Sequence, residues 1–272
     1  MKKVYDGLVL RVTDVGENDR LLLLLTPDEG KIYVMAKGSR SVRSKVTSLC
    51  RVCAYINVEL HERDGKYWLS SGSLNEAFFG VSSELESFAL ASYVMQLADE
   101  ITGENMPADE VLRMSLNTLY AIEKKLKPIE LIKATYEAFA ADISGFEPEL
   151  SACGDCGCRD FSEGLWLDVM NGSIVCEACM KKRNGGMPVP ETDIFETRNI
   201  FLPLDAASLT ALRYIAGAPL QRIFAFGISD PTSMSLFCRA AEIYLLNHLE
   251  RDFDTLKFFK TVTKKTERVR GQ

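Results

Sequence analysis

Histidine is almost missing from this sequence: His61 and His248 are the only two in 272 residues. Neither has a sequence neighbour resembling a nucleophile partner, so each reads as a surface or core residue rather than a catalyst. No GxxxxGK[ST] loop is present to cradle nucleotide phosphates, no GxGxxG follows a strand, and no GxSxG elbow occurs. Carboxylates are plentiful but form no pattern beyond solvated helix faces. The contiguous signatures of nucleotide hydrolysis, dinucleotide binding and acyl transfer are therefore absent, although sites assembled from distant residues leave no such trace. No apolar run reaches the roughly 20 residues of a membrane span, and LLLLL at 21–25 has the length of a buried strand. The opening MKKVYDGLVLRV enters an alternating pattern at once, so no cleaved targeting segment and a cytoplasmic location are expected.

An excess of positive charge is also lacking, with 32 Lys/Arg against 38 Asp/Glu and a net charge of −6, but the basic residues are unevenly placed. Residues 1–80 hold twelve Lys/Arg and ten Asp/Glu, so this part is +2 and the remainder is −8. Lys31 to Val58 contains Lys31, Lys37, Arg40, Arg43, Lys45 and Arg51 and no acid. The last sixteen residues carry Lys257, Lys260, Lys264, Lys265, Arg268 and Arg270 against Glu267. Local sign decides where a polyanion docks.

Residues 4–14, 20–27, 31–37, 49–61 and 66–73 read as five strands, broken at GEND, PDEG, GSRSVRS and RDG. Five short strands in this span suggest a small Greek-key barrel, with the OB-fold ahead of an SH3-like barrel. The period becomes helical from 82. Ser83 with Glu86 suggests a capping box, followed by Leu85, Phe88, Ala89, Tyr93, Leu97 and Ile101 as an apolar stripe. Pro107 and Pro128 sit where helices start, and Gly145 where one ends. Asp205 is a helix cap, and Ser229 or Asp230 before Pro231 starts the last long helix. NGGMPVPET (184–192) reads as a linker, and the tail after Lys260 as frayed.

The most informative stretch is Cys153 to Cys179. Cys153/Cys156 and Cys176/Cys179 are two CxxC pairs with nineteen residues between them. Each CxxC turn offers two thiolates to one ion, and two such turns supply a tetrahedral Cys₄ zinc site. LWLDVM and SIVCEA flank Asn171-Gly172, the signal for a two-residue type I′ hairpin. Together they describe a zinc ribbon whose closed site braces the fold and leaves no position for catalytic water. Disulfides and free core thiols are the competing readings, and Cys158 is an alternative to Cys156. Cys50 and Cys53 form a further CxxC in a strand-like stretch, read as small buried hydrophobes.

The expected fold is α+β and multidomain. An OB-fold nucleic-acid-binding domain at 1–80 precedes a helical domain at 81–150 and 183–260, interrupted by the ribbon at 151–182. A basic flexible tail follows at 261–272. In KGSRSVRSK, Lys37, Arg40, Arg43 and Lys45 place four cations on a Ser/Gly loop beside the barrel, able to neutralise phosphates in a salt-sensitive way. OB-type barrels also stack bases on exposed aromatics. Tyr33, Tyr55, Tyr67 and Trp68 are available, but alternation buries about half of them, and the sequence singles out none.

The run DGLVLRVTDVGENDRLLLLLTPDEGKIYVMAKGSRSVRSK resembles the opening of the RecO family of bacterial recombination mediators in its strand pattern, GENDRLL, TP-x-x-G turn and basic KG-x-R segment. The order of barrel, helical domain and inserted CxxC…CxxC matches that family along essentially the whole chain. The resemblance implies an OB-fold that binds single- and double-stranded DNA and anneals complementary strands. It implies contact with RecR and the single-stranded DNA-binding protein, indirect help to RecA loading, and a nucleoid-associated cytoplasmic location. It carries over Lys37, Arg40, Arg43 and Lys45 as DNA contacts and Cys153, Cys156, Cys176 and Cys179 as ligands of a structural Zn²⁺. It supplies no catalytic residue and no nucleotide cofactor. The expected function is thus a non-enzymatic DNA repair and recombination mediator. An RNA-associated or transcription-linked zinc-ribbon module and a metal-dependent nuclease are the alternatives.

Overall fold

A computed structural model describes residues 2–185, 194–195 and 199–270, with the side chains of 194–195 and 267–270 excepted. In chain order, the strands β1 (Lys2–Val15), β2 (Asp19–Thr26), β3 (Gly30–Ala36), β4 (Tyr55–Arg63) and β5 (Lys66–Glu76) come first. Helices α1 (Leu85–Ile101), α2 (Asp109–Glu123) and α3 (Ile129–Ile143) follow. Next come β6 (Glu149–Cys153), β7 (Leu165–Asp168), β8 (Ser173–Cys176), α4 (Glu177–Arg183), β9 (Ile194–Phe195) and β10 (Ile200–Leu204). Helices α5 (Ala206–Gly217), α6 (Pro231–Leu249) and α7 (Asp254–Arg270) complete the chain. Two compact units result: Met1–Leu126 with Phe253–Gln272, and Lys127–Asp252. Within each unit helices from before and after the ribbon pair: α1 with α7, and α3 with α6.

In the first unit the five strands close into a barrel ordered β1-β2-β3-β5-β4. Only the β3–β5 pair is parallel, an OB-like arrangement. Leu22, Leu24, Ile32, Val34, Ile56, Val58 and Leu60 fill its interior. Register shifts in β1 and along the β4–β5 pair supply bulges, which bend long strands far enough to close a small barrel. The leucine run does not alternate because both faces of β2 are covered. Leu22 and Leu24 belong to the interior cluster, and Leu23 and Leu25 are also buried, on a strand against which α2 packs.

Several local expectations are corrected here. The stretch expected as a strand over 49–61 begins as a 3-10 turn at Thr47–Leu49, and β4 starts only at Tyr55. Cys53 adopts φ +67, which a ladder does not tolerate, so Cys50 and Cys53 lie in a turn; both are buried. Ser83 closes no capping box. It ends a 3-10 turn at Phe79–Ser83, its hydroxyl donates to the Gly80 carbonyl at 2.6 Å, and Glu84 is the N-cap of α1. Leu85 and Phe88, expected in the apolar stripe, are exposed. The segment after Lys260 is helical through Arg270, because Leu256, Phe259 and Val262 bury one face of α7.

In the second unit a five-stranded sheet runs β6-β8-β7-β10-β9. The ribbon was expected to end at 182; instead β10 extends its sheet, pairing antiparallel with β7 from Phe201↔Asp168 to Leu204↔Leu165. Much of the expected linker falls outside the described residues. The expected two-residue Asn171-Gly172 turn is a four-residue loop, since Asp168 pairs with Ser173. Val169 is drawn out of the turn by its own N–H, which donates to the Ile200 carbonyl at 2.9 Å. Asp168 accepts from both nitrogens of Asn171, and Gly172 alone takes the positive φ. Asp205 caps α5 through a reciprocal box with Ser208, and Asp230 caps α6 with Pro231 behind it.

Candidate metal centre and nucleic-acid interface

The metal centre is built by two different turns. Strand β6 delivers Cys153 into a tight knuckle, where the Gly157 N–H donates to the Cys153 carbonyl at 2.8 Å with Gly157 at φ +71. Strand β8 delivers Cys176 as the N-cap of α4, and the first turn of that helix brings Cys179 round. The Sγ atoms of Cys153, Cys156, Cys176 and Cys179 all lie within 4.8 Å of one another, and those of Cys156 and Cys176 are 3.7 Å apart. Four sulfurs about 2.3 Å from one ion at tetrahedral angles sit about 3.8 Å apart. All four thiols are free rather than bridged. The arrangement could hold a metal ion with no further ligand.

Cys158 is not part of this set. Its Sγ lies 3.3 Å from the Asp160 N–H and carbonyl, while its carbonyl accepts from the Cys153 N–H at 2.8 Å, so it shapes the knuckle through its backbone. Burial opposes ionisation of Cys153, but backbone N–H groups of Cys176, Cys156 and Asp155 outweigh it and bring its pKa down to about 7. Burial and the neighbouring sulfurs push Cys176 and Cys179 upward. A bound cation would compensate the accumulating thiolate charge.

Sequence reading missed the brace around this centre. Arg183, at the end of α4, reaches Asp155 in the first knuckle at 2.6 and 2.9 Å and the fully buried Asp168 at 3.2 Å. Its guanidinium also lies 5.1 Å from the Phe201 ring centre. Nothing periodic in the sequence marks these partners.

The second candidate site is the connection after β3. It is folded by successive turns: the Gly38 N–H donates to Asp19 at 2.7 Å, Ser41 N–H to Gly38, and Ser44 N–H to Ser41. The Thr47 hydroxyl donates to the Ser39 carbonyl at 2.7 Å. Lys37, Arg43 and Lys45 are exposed and make no ion pair among the described residues. Arg40 differs. Its backbone N–H donates to Asn18, and its guanidinium donates to the Gly16 carbonyl at 3.1 Å and lies 3.6 Å from Asp14. The four expected contacts thus share one loop, three as open cations and one tied to the β1–β2 turn. No helix among the described residues is long and apolar enough to cross a membrane.

Comparison with known proteins covers most of the chain. The family models "Recombination protein O N terminal" and "Recombination protein O C terminal" match residues 1–78 and 82–195. The DNA repair protein RecO of Acetivibrio thermocellus is 24% identical over 257 residues, covering 94% of this chain and 95% of that one. The DNA repair protein RecO of Anaeromyxobacter sp. strain K is 27% identical over 258 residues, covering 94% and 95%. That of Alkaliphilus metalliredigens is 26% identical over 259 residues, covering 94% and 98%. With an OB-like barrel, a helical region and a Cys₄ cluster in the expected order, the chain belongs to the RecO family of DNA repair proteins.

Proposed function

We propose that this chain is a non-enzymatic mediator of DNA repair and homologous recombination. It binds single- and double-stranded DNA and anneals complementary strands. Together with RecR it helps RecA load onto DNA covered by the single-stranded DNA-binding protein. The observation that carries this reading is the turn-built loop bearing Lys37, Arg43 and Lys45, exposed beside an OB-like barrel in a RecO-family chain. Cations held there neutralise phosphates of two strands, release their counterions and lower the repulsion that opposes pairing. Arg40 fixes the loop against the β1–β2 turn while keeping part of its guanidinium in solvent.

We infer that the ion held by Cys153, Cys156, Cys176 and Cys179 is zinc. Four thiolates at tetrahedral spacing suit a soft, redox-inert d¹⁰ ion and leave no open position for chemistry. Its role is to join the two knuckles.

The test is annealing of complementary oligonucleotides precoated with the cognate single-stranded DNA-binding protein, without ATP. Acceleration by this chain supports the mediator reading. No acceleration by folded, metal-loaded protein overturns it.

A further inference from the structure

We infer that the outer face of β3 and β5 carries a groove in which bases of single-stranded DNA stack, separate from the loop cations but continuous with them. The inference rests on the DNA-binding reading above and deepens it by assigning the aromatic part of the site.

The groove encloses about 350 Å³, and its lining includes Tyr33, Met35, Lys66, Tyr67, Trp68 and Glu104. Strand alternation explains its content. Ile32, Val34 and Ala36 point into the barrel, so Tyr33 and Met35 face outward, with Tyr33 44% exposed. Strands β3 and β5 pair at only two positions, and one of these sets Met35 beside Trp68. Trp68 stands opposite His61 across the β4–β5 pair, with ring centres 6.5 Å apart. Tyr67 packs against the barrel core, edge-on to Tyr5 at 6.1 Å. Of the four aromatics that the sequence offers, Tyr33, Tyr67 and Trp68 line the groove and Tyr55 does not; Tyr67 is committed to the core, which leaves Tyr33 and Trp68 as the rings on the outward side.

The charges fit the same occupant. Lys66 is exposed at the groove and makes no ion pair among the described residues. At the other end Lys31 is held by Asp99 at 2.9 Å, and Glu104 bridges to the β3 backbone, so that end is closed and neutralised. The closure is tight: Gly30 has φ +61, and any Cβ there would collide with the Met106 and Gly103 carbonyls. The alternation of Tyr33 and Met35 continues to Lys37, the first cation of the loop. Tyr33 and Lys37 are about 13 Å apart along an extended strand, far enough for a stacked base and a paired phosphate to belong to different nucleotides. Bases within a duplex already stack on one another, so this groove selects single strands.

The experiment compares, on the full metal-loaded protein, an oligothymidylate, an abasic oligomer of the same length and charge, thymidine monophosphate, and a duplex. Affinity comes from anisotropy or competition, and stacking from quenching of tryptophan fluorescence. The chain has two tryptophans, Trp68 and the buried Trp166, so quenching lost in W68F reports Trp68. The expected result is oligothymidylate binding roughly tenfold tighter than the abasic oligomer, with quenching by the former only. Y33A and W68A remove most of that preference and leave the abasic and duplex affinities within twofold. W68F keeps the preference and loses the quenching. Weak binding of the mononucleotide is expected, since the backbone cations supply the rest. Oligothymidylate and abasic oligomer binding equally, or no quenching in the wild type, overturns the groove while leaving DNA binding intact. If none of the polynucleotides binds, the DNA-binding reading falls and the groove with it. Should Y33A or W68A fail to fold, the wild-type preference and its W68F-sensitive quenching still decide.

Discussion

Arg183 grips Asp155 with two nitrogens, at 2.6 and 2.9 Å, and so ties the far end of α4 to the first cysteine knuckle. The same guanidinium reaches Asp168, which is fully buried. Its removal strands a carboxylate that water cannot reach, although Asn171 continues to donate to it. Arg183→Met is expected to destabilise the second unit by about 3 kcal/mol, the scale on which breaking a buried pair is felt. Equilibrium urea unfolding at saturating zinc checks this. A midpoint equal to wild type would make the pair ornamental.

The sulfur cluster predicts which cysteines matter. Cys156→Ser and Cys176→Ser should each lose the metal and lower the melting temperature, because three thiolates no longer close the site. Cys158→Ser should retain one zinc per chain, since that side chain is turned to Asp160. Cys50 and Cys53 lie buried in the barrel unit, and replacing either with Ala should leave zinc content unchanged. Zinc released to a colorimetric chelator after denaturation gives the stoichiometry. Metal retained by Cys156→Ser and lost by Cys158→Ser would reverse the ligand assignment.

Alternation and turn residues made the barrel legible, because strands of a small barrel must present a buried row at every second position and break at glycine-rich turns. The clustering of the four cysteines was legible because a CxxC pair encodes its own geometry. What escaped depended on partners distant in sequence. Strand β10 was missed because Pro203 and a short apolar run give a weak strand signal, and pairing with β7 supplies the rest. Asn171-Gly172 was misread because the neighbouring Val169 is bonded to β10, which lengthens the loop. Ser83 was misread because a 3-10 turn consumes its hydroxyl before the helix begins. The choice of Trp68 over Tyr67 as the outward ring needs the barrel register, and Arg183 with Asp155 and Asp168 needs the folded ribbon.

The loop cations should separate into two classes. Lys37, Arg43 and Lys45 make no ion pair among the described residues, so replacing all three with Ala should weaken duplex binding and leave the melting temperature unchanged. At about 0.9 per phosphate contact, the slope of log affinity against log salt should become shallower by roughly 2 to 3. Arg40→Glu should behave differently. It places a carboxylate beside Asp14 and abandons the Gly16 carbonyl, so it should lower both affinity and barrel stability. Titration of DNA at four salt concentrations, with thermal melts of the same variants, distinguishes the classes. An unchanged slope in the triple variant would remove this loop from the interface.

The packing of α3 on α6 contains a charge that sequence periodicity alone does not reveal. Lys133 is buried, 2.8 Å from the fully buried Glu137 one turn along α3 and 2.9 Å from Glu242 of α6. Burial alone would lower the lysine's pKa. Attraction from Glu137 and then Glu242 more than reverses this and holds it above the ordinary lysine value. A raised pKa contributes stability that is fully present below the unfolded value of about 10.4 and is lost as pH rises through the higher folded value. The second unit should therefore show a loss of stability above about pH 10.4 that Lys133→Met lacks. At neutral pH Lys133→Met deprives Glu137 and Glu242 of their shared cation and should cost about 3 to 5 kcal/mol. Adding Glu137→Leu and Glu242→Leu to it should recover much of that loss, because an apolar cluster of similar volume needs no counter-charge. Urea unfolding of the single and triple variants at pH 7.5 and pH 11 measures both effects. A triple variant no more stable than the single one would mean that the carboxylates hold α3 on α6 through contacts independent of Lys133.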